Sequence, residues 1–128
     1  MRPIFIVFAL NLALLPSASF AHDKPAKGPN GGQLIHVDDA HYELVAKDNE
    51  LILFVSDDAQ AARTTLQGTK ATATVLVAGK TLAVDLLPGT ADTMKGAGTF
   101  VAAKGLKVVV SIQEPGRKPA QVRFTPVD

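Results

Sequence analysis

The sequence contains no cysteine and no tryptophan, and its single tyrosine is Tyr42. A chain without cysteine forms no disulfide, has no cysteine nucleophile and offers no thiolate to a soft metal ion. Its folded state must therefore depend on packing of apolar residues. Because aromatic residues are scarce, aliphatic side chains must fill most of the core.

The sequence also lacks a basic excess. It has 13 Lys and Arg against 12 Asp and Glu, and removal of an N-terminal segment that contains Arg2 leaves no formal net charge. Nucleic-acid binding needs a surplus of basic groups gathered on one face, so a nucleic-acid partner is not expected. The same balance gives no reason to expect binding to an anionic membrane surface.

The first residues have the features of a secretory signal peptide. Arg2 precedes an apolar run from Ile4 to Leu15, and the small residues Ser19 and Ala21 stand before the expected cleavage point. This order fits export and cleavage, and the run is too short to serve as a permanent membrane span. We therefore predict a signal peptide at residues 1–21, no membrane anchor in the mature chain, and His22 as its first residue.

The remaining chain predicts one all-β domain. Residues 22–32 are expected to form a flexible arm with a Gly/Pro turn, and residues 33–128 the domain itself. Turn signals separate short segments rich in β-branched residues, and no stretch keeps a helical period. We predict an antiparallel, immunoglobulin-like β-sandwich of about seven strands. The predicted strands are 33–37, 41–46, 51–55, 72–77, 81–87, 107–113 and 121–125.

The first predicted hairpin carries the candidate chemistry. If Asp38-Asp39 closes a tight turn, His36 faces His41 across the ladder, and Glu43 lies on the same face two residues further on. Two imidazoles and a carboxylate would then converge at the rim of the sheet. These donors suit copper(II), zinc or nickel. We therefore predict one bound divalent ion, copper or zinc, with His36 and His41 as the first ligands and Glu43 as an auxiliary.

His22 offers a further ligand if cleavage follows Ala21. Its free amine and its ring could then chelate one ion together, as in the histidine brace of small exported copper proteins. Simpler interpretations stay open. Histidines near a strand end are commonly solvated, Glu43 fits the solvent face of a strand, and aspartates in turns accept local backbone hydrogen bonds.

Catalytic residues are sparse. The serines beyond the predicted signal are Ser56 and Ser111, and neither lies in a nucleophile-elbow sequence. Each pair of adjacent aspartates would point to opposite faces of an extended strand, so it cannot share a substrate as general acid and base. We therefore predict a protein that is not an enzyme, with oxidative chemistry at a histidine brace as the remaining enzymatic alternative.

The segments Gly28-Pro29-Asn30-Gly31-Gly32-Gln33-Leu34 and His41-Tyr42-Glu43-Leu44-Val45 resemble a known domain. It is the small β-domain near the N-terminus of periplasmic adaptor subunits of heavy-metal efflux pumps of the resistance–nodulation–division class. The likeness runs from about Gly28 to Phe124. It implies a free-standing periplasmic protein in metal resistance or homeostasis, which presents an ion to a pump or docks onto one. The clustered methionines with which some adaptors bind copper(I) or silver(I) are missing here, so that chemistry is not implied.

Two hypotheses of different classes follow. The first is a non-enzymatic periplasmic module that binds a divalent transition metal and has an efflux pump or another envelope protein as its partner. The alternative is a metal-free structural or interaction module of the cell envelope. It would act through a sheet edge or through a partly apolar outer face that bears Leu34, Ile52 and Phe54.

Overall fold

The structure, a computed structural model, describes residues 26–57 and 66–127. The predicted signal peptide and residues 22–25 of the predicted arm lie outside this range. Within it the chain forms strands joined by turns and loops, with no helical residue and hence no helix that could cross a membrane. The strands are β1 (Ala26–Lys27), β2 (Gln33–Val37), β3 (Ala40–Lys47), β4 (Glu50–Asp57), β5 (Lys70–Val77), β6 (Lys80–Pro88), β7 (Thr93–Ala97), β8 (Lys107–Gln113) and β9 (Ala120–Phe124).

All neighbouring strands pair antiparallel, in the order β1-β2-β3-β4-β7-β6-β5-β8-β9. The prediction of an all-β, antiparallel fold is confirmed. The separate sheets of a sandwich are not confirmed, because pairing continues from β6 to β7 through Leu87–Lys95 and Pro88–Met94. The described residues form nine strands instead of about seven, because β1 and β7 were not predicted.

The sheet curls into a half-barrel, and side chains link its two ends. At one place where the two edges of the sheet approach each other, the backbone N–H of Thr125 donates to Oε1 of Gln33 at 2.6 Å. Nε2 of Gln33 donates to Oγ1 of Thr125 at 3.4 Å. At a second place, between the first hairpin turn and the loop that joins β8 to β9, Nη1 of Arg117 donates to Oδ1 of Asp39 at 2.7 Å. These contacts hold the first hairpin beside the β8–β9 region.

The concave face of the curled sheet carries the core. Tyr42 pairs with Val55 and Leu44 with Leu53, as the alternating pattern predicts, and all four are buried. Full burial of one such aliphatic side chain contributes about 1.5–3 kcal/mol, so the core replaces the missing disulfides as the source of stability. From the other half of the sheet the core receives Ala71, Ala73, Val75, Val84, Leu86, Val108, Val110, Ile112, Val122 and Phe124.

Candidate functional site

The candidate site lies on the hairpin formed by β2 and β3. Val37 pairs with Ala40, and His36 pairs with His41. This confirms the register predicted from the two-residue turn. Asp38 in the turn has φ 53°, a conformation that aspartate tolerates better than most residues because its short side chain hydrogen-bonds locally. The turn therefore fixes which side chains meet across the ladder.

The two imidazole rings stack on the face opposite the core. Their centroids are 4.3 Å apart and their planes differ by 8°. His36 is exposed and His41 is half-buried. Both rings are therefore accessible from outside the sheet, as binding of an ion from solution requires.

A backbone carbonyl on β4 orients His41. Nδ1 of His41 lies 2.9 Å from the carbonyl oxygen of Asp57. A carbonyl oxygen only accepts, so in this contact Nδ1 carries the proton and Nε2 carries the lone pair. Metal-binding histidines commonly have this arrangement, in which the second ring nitrogen donates to a carbonyl and fixes the ring. His41 therefore has the tautomer and the support that a ligand needs.

The stacked pair is not itself a closed chelate. A nitrogen lone pair lies in the plane of its ring, and the lone pairs of two parallel rings do not converge on one ion at about 2.0–2.1 Å from each nitrogen. One ring has to rotate about its side-chain torsions. His36 is more exposed than His41, and His41 is held by the Asp57 carbonyl, so rotation of His36 is the smaller change.

Glu43 is buried beside the loop at residues 28–32. It lies on the histidine face, opposite Leu34, but it is 2% exposed. Its Oε2 accepts hydrogen bonds from the backbone N–H groups of Asn30 at 2.9 Å and Gly32 at 2.8 Å, and its Oε1 accepts one from Nδ2 of Asn30 at 2.9 Å. The carboxylate therefore holds the loop at residues 28–32 against the sheet.

Close contacts with β3 explain two glycines of the loop. A Cβ on Gly28 would overlap the carboxyl group of Glu43, and a Cβ on Gly32 would overlap the carbonyl oxygen of Leu44. The alternating pattern of β3 places Glu43 on the outer face but does not show that the loop covers it. Two features of the sequence could have indicated this contact. The glycine-rich segment 28–32 has backbone amides that need acceptors, and Glu43 is a lone acidic residue within an apolar strand.

The outer apolar face proposed as an interaction surface is largely covered. Ile52 is 8% exposed, and Leu34 and Phe54 are half-buried. With Pro29 and Asn30 of the loop, Leu34 and Phe54 line a cleft of about 80 Å³. Little of this apolar surface therefore remains open to a partner.

The described part of the chain supplies two clustered imidazoles and no larger donor set. Within residues 26–57 and 66–127, no group of three or more His, Asp or Glu side chains is placed to hold an ion. His22 lies outside the described residues. A metal at this hairpin therefore takes its remaining ligands from water or from elsewhere in the chain.

Comparison with known proteins finds no matching family model, no similar curated protein and no similar solved structure. A functional assignment therefore depends on the chemistry of the residues themselves.

Proposed function

We propose that this chain is exported to the periplasm and acts there as a non-enzymatic module that binds one divalent transition metal, copper or zinc. His36 and His41 are its ligands. The observation that supports this function best is the accessible cross-strand imidazole pair, with ring centroids 4.3 Å apart and one ring oriented by the Asp57 carbonyl.

The nitrogen donors favour particular ions. Neutral imidazole binds copper(II), nickel and zinc, and affinity for a given site of this kind generally peaks at copper(II). Two protein ligands leave the coordination sphere open, so water or a further side chain completes it. The pair therefore suits an ion that is exchanged rather than one that is permanently enclosed.

His22 is the proposed additional ligand. It lies four residues before Ala26, which pairs with Leu34 of β2. A four-residue extended segment spans up to about 13 Å, whereas the two residues from Leu34 to His36 advance about 7 Å along the strand. After cleavage behind Ala21, the amine and ring of His22 therefore come within reach of the imidazole pair.

Glu43 is not retained as a ligand in this proposal. Both of its oxygens accept hydrogen bonds from the loop, and release to a metal would leave the amides of Asn30 and Gly32 without their acceptor. We assign Glu43 the structural role of holding the loop.

The resemblance to efflux-adaptor domains suggests the setting. A periplasmic module with an exchangeable ion could present that ion to a heavy-metal pump or lower its free concentration, with a pump subunit or another envelope protein as partner. The competing metal-free interaction module has less support, because Ile52 is 8% exposed and the neighbouring apolar residues lie partly under the loop.

Calorimetric titration of the processed protein with copper(II), zinc and nickel tests the proposal. We expect one ion per chain, tightest for copper(II), and loss of this binding in His36→Ala/His41→Ala. An added residue before His22 should weaken binding without abolishing it if His22 assists the pair. Unchanged binding in the double variant would exclude the hairpin site, and no binding by the parent protein would leave the interaction module.

A further inference from the structure

A cavity of about 400 Å³ opens at the end of the half-barrel opposite the Gln33–Thr125 contact. It lies between the turn of the first hairpin and the loop that joins β8 to β9. Val37, Ile112 and Ala120 give it apolar walls, and Tyr42, which is 4% exposed, also lines it. Small-molecule sites commonly have about 300–1,000 Å³ and combine apolar walls with a few polar groups.

Charged side chains of both signs line this cavity: Arg117 and Lys118 are basic, and Asp38, Asp39 and Glu114 are acidic. Nε of Arg117 lies 3.1 Å from Oε2 of Glu114, a residue that is 7% exposed. Nη1 of Arg117 lies 2.7 Å from Oδ1 of Asp39, whose side chain is 65% exposed. One guanidinium therefore joins a buried carboxylate and a solvated one at the mouth of the cavity.

The two ion pairs differ in how readily a ligand can replace them. Exposed ion pairs contribute little to stability, because water screens the attraction and solvates the separated charges. Separation of a buried pair leaves an uncompensated charge in the protein and is costly. A ligand that takes the place of Asp39 on Arg117 therefore loses little free energy in breaking that ion pair. A ligand that separates Arg117 from Glu114 loses much more.

This difference determines the charge of the ligand. An anion needs only to replace Asp39 on Nη1, whereas a cation that reaches Glu114 has to expel Arg117. A carboxylate also matches the planar donor fork of arginine, and Lys118 adds a second positive charge to the lining. We propose that the cavity binds a small carboxylate with an apolar body, held by Arg117 with Asp39 as the group that the ligand displaces.

Methyl NMR of the purified protein without added metal tests this site, with hexanoate, hexanamide and hexylamine as the probes. Hexanoate should give saturable shifts at Val37 and Ile112, and the amide and amine should bind more weakly. Because no metal is present, the result is independent of the His36–His41 site. No saturable shift with hexanoate, or equal or tighter binding of hexylamine, would overturn the proposal.

Two variants distinguish Arg117 recognition from nonspecific apolar binding, and neither leaves Glu114 without a cation. Asp39→Asn removes the competing carboxylate and should tighten hexanoate binding about two- to fivefold, the equivalent of one exposed ion pair. Arg117→Lys keeps the charge but loses the fork, and should weaken binding. Asp85→Asn, at an exposed position of β6, is the matched control for charge and should have no effect. Unchanged or weaker binding in Asp39→Asn would contradict the displacement of Asp39.

Discussion

The imidazole rings of His36 and His41 lie parallel across the first hairpin, with centroids 4.3 Å apart. Their pairing follows from the two-residue turn, which also directs Val37 and Ala40 to the opposite face of the hairpin. A metal bound by the rings would therefore lie on the face opposite the core, and its binding does not require core side chains to move.

The two histidines should contribute unequally to metal binding. We expect His41→Ala and His36→Ala each to weaken copper(II) binding by more than the roughly 10- to 100-fold that a lost outer-shell partner costs. The His41 variant should lose more, because the Asp57 carbonyl orients that ring. Competition with a chromophoric chelator measures both affinities.

A ring-preserving variant serves as the control for the fold. His36→Phe/His41→Phe keeps two planar rings on this face without nitrogen donors, so it should lose copper binding while its urea midpoint stays near that of the parent. Retained copper binding in this variant would show that the ligands lie elsewhere.

Glu43 should contribute to stability rather than to metal affinity. Glu43→Ala removes the acceptor of the hydrogen bonds from three donor groups of the loop and should lower the free energy of unfolding by about 2–4 kcal/mol. Equilibrium urea unfolding measures the change. Glu50→Ala, at a less buried position on β4, should stay within about 0.5 kcal/mol. If Glu43→Ala instead keeps the parent's free energy of unfolding but no longer binds metal, Glu43 is a ligand.

The loop glycines provide a second test of the Glu43 contact. Gly28→Ala places a methyl group where the Glu43 carboxyl lies, whereas Gly31 has φ 81° and open space around its Cβ position. We expect Gly31→Ala to cost about 1–2 kcal/mol through its backbone conformation alone. Gly28→Ala should cost more, because loop and carboxylate must separate. The reverse order in urea unfolding would mean that the loop is not held against Glu43.

The sequence was most informative where contacts are local. The Asp38-Asp39 turn and the alternation on either side predicted the His36–His41 pairing, and the core face of β3 and β4 followed from the same pattern. Both depend on residues close in the chain, where turn length determines the register.

Long-range contacts account for what was missed. Residues 90–100 were unassigned, because Gly96 and Gly98 argue against a helix and only Met94 and Phe100 indicate short strands. In the structure β7 packs so closely on β6 that a Cβ on Gly96 would overlap the carbonyl oxygen of Asp85. Asn49 lies in the turn between β3 and β4, and its Oδ1 accepts a hydrogen bond from the backbone N–H of Phe100 at 3.1 Å. The Glu43–loop contact belongs to the same class. Single-chain patterns do not show which distant backbone approaches a residue.

The β5–β6 turn offers a stabilising substitution. Ala78 and Gly79 have φ 50° and 73°, the two positive values of a type I′ hairpin turn, in which asparagine before glycine is strongly favoured. Ala78→Asn should raise the free energy of unfolding by about 0.5–1 kcal/mol, because asparagine tolerates this conformation better than alanine. Ala78→Val should lower it. Thermal unfolding compares the variants, and a lower melting temperature for Ala78→Asn would contradict this description of the turn.

The most direct test of metal binding at the hairpin is ¹⁵N NMR of the histidine rings during zinc titration. We predict that Nε2 of His41 and one ring nitrogen of His36 take on the shifts of metal-bound nitrogen together, at one equivalent of zinc, while Nδ1 of His41 stays protonated against the Asp57 carbonyl. Ring nitrogens of His36 and His41 that remain unchanged in excess zinc would contradict the account.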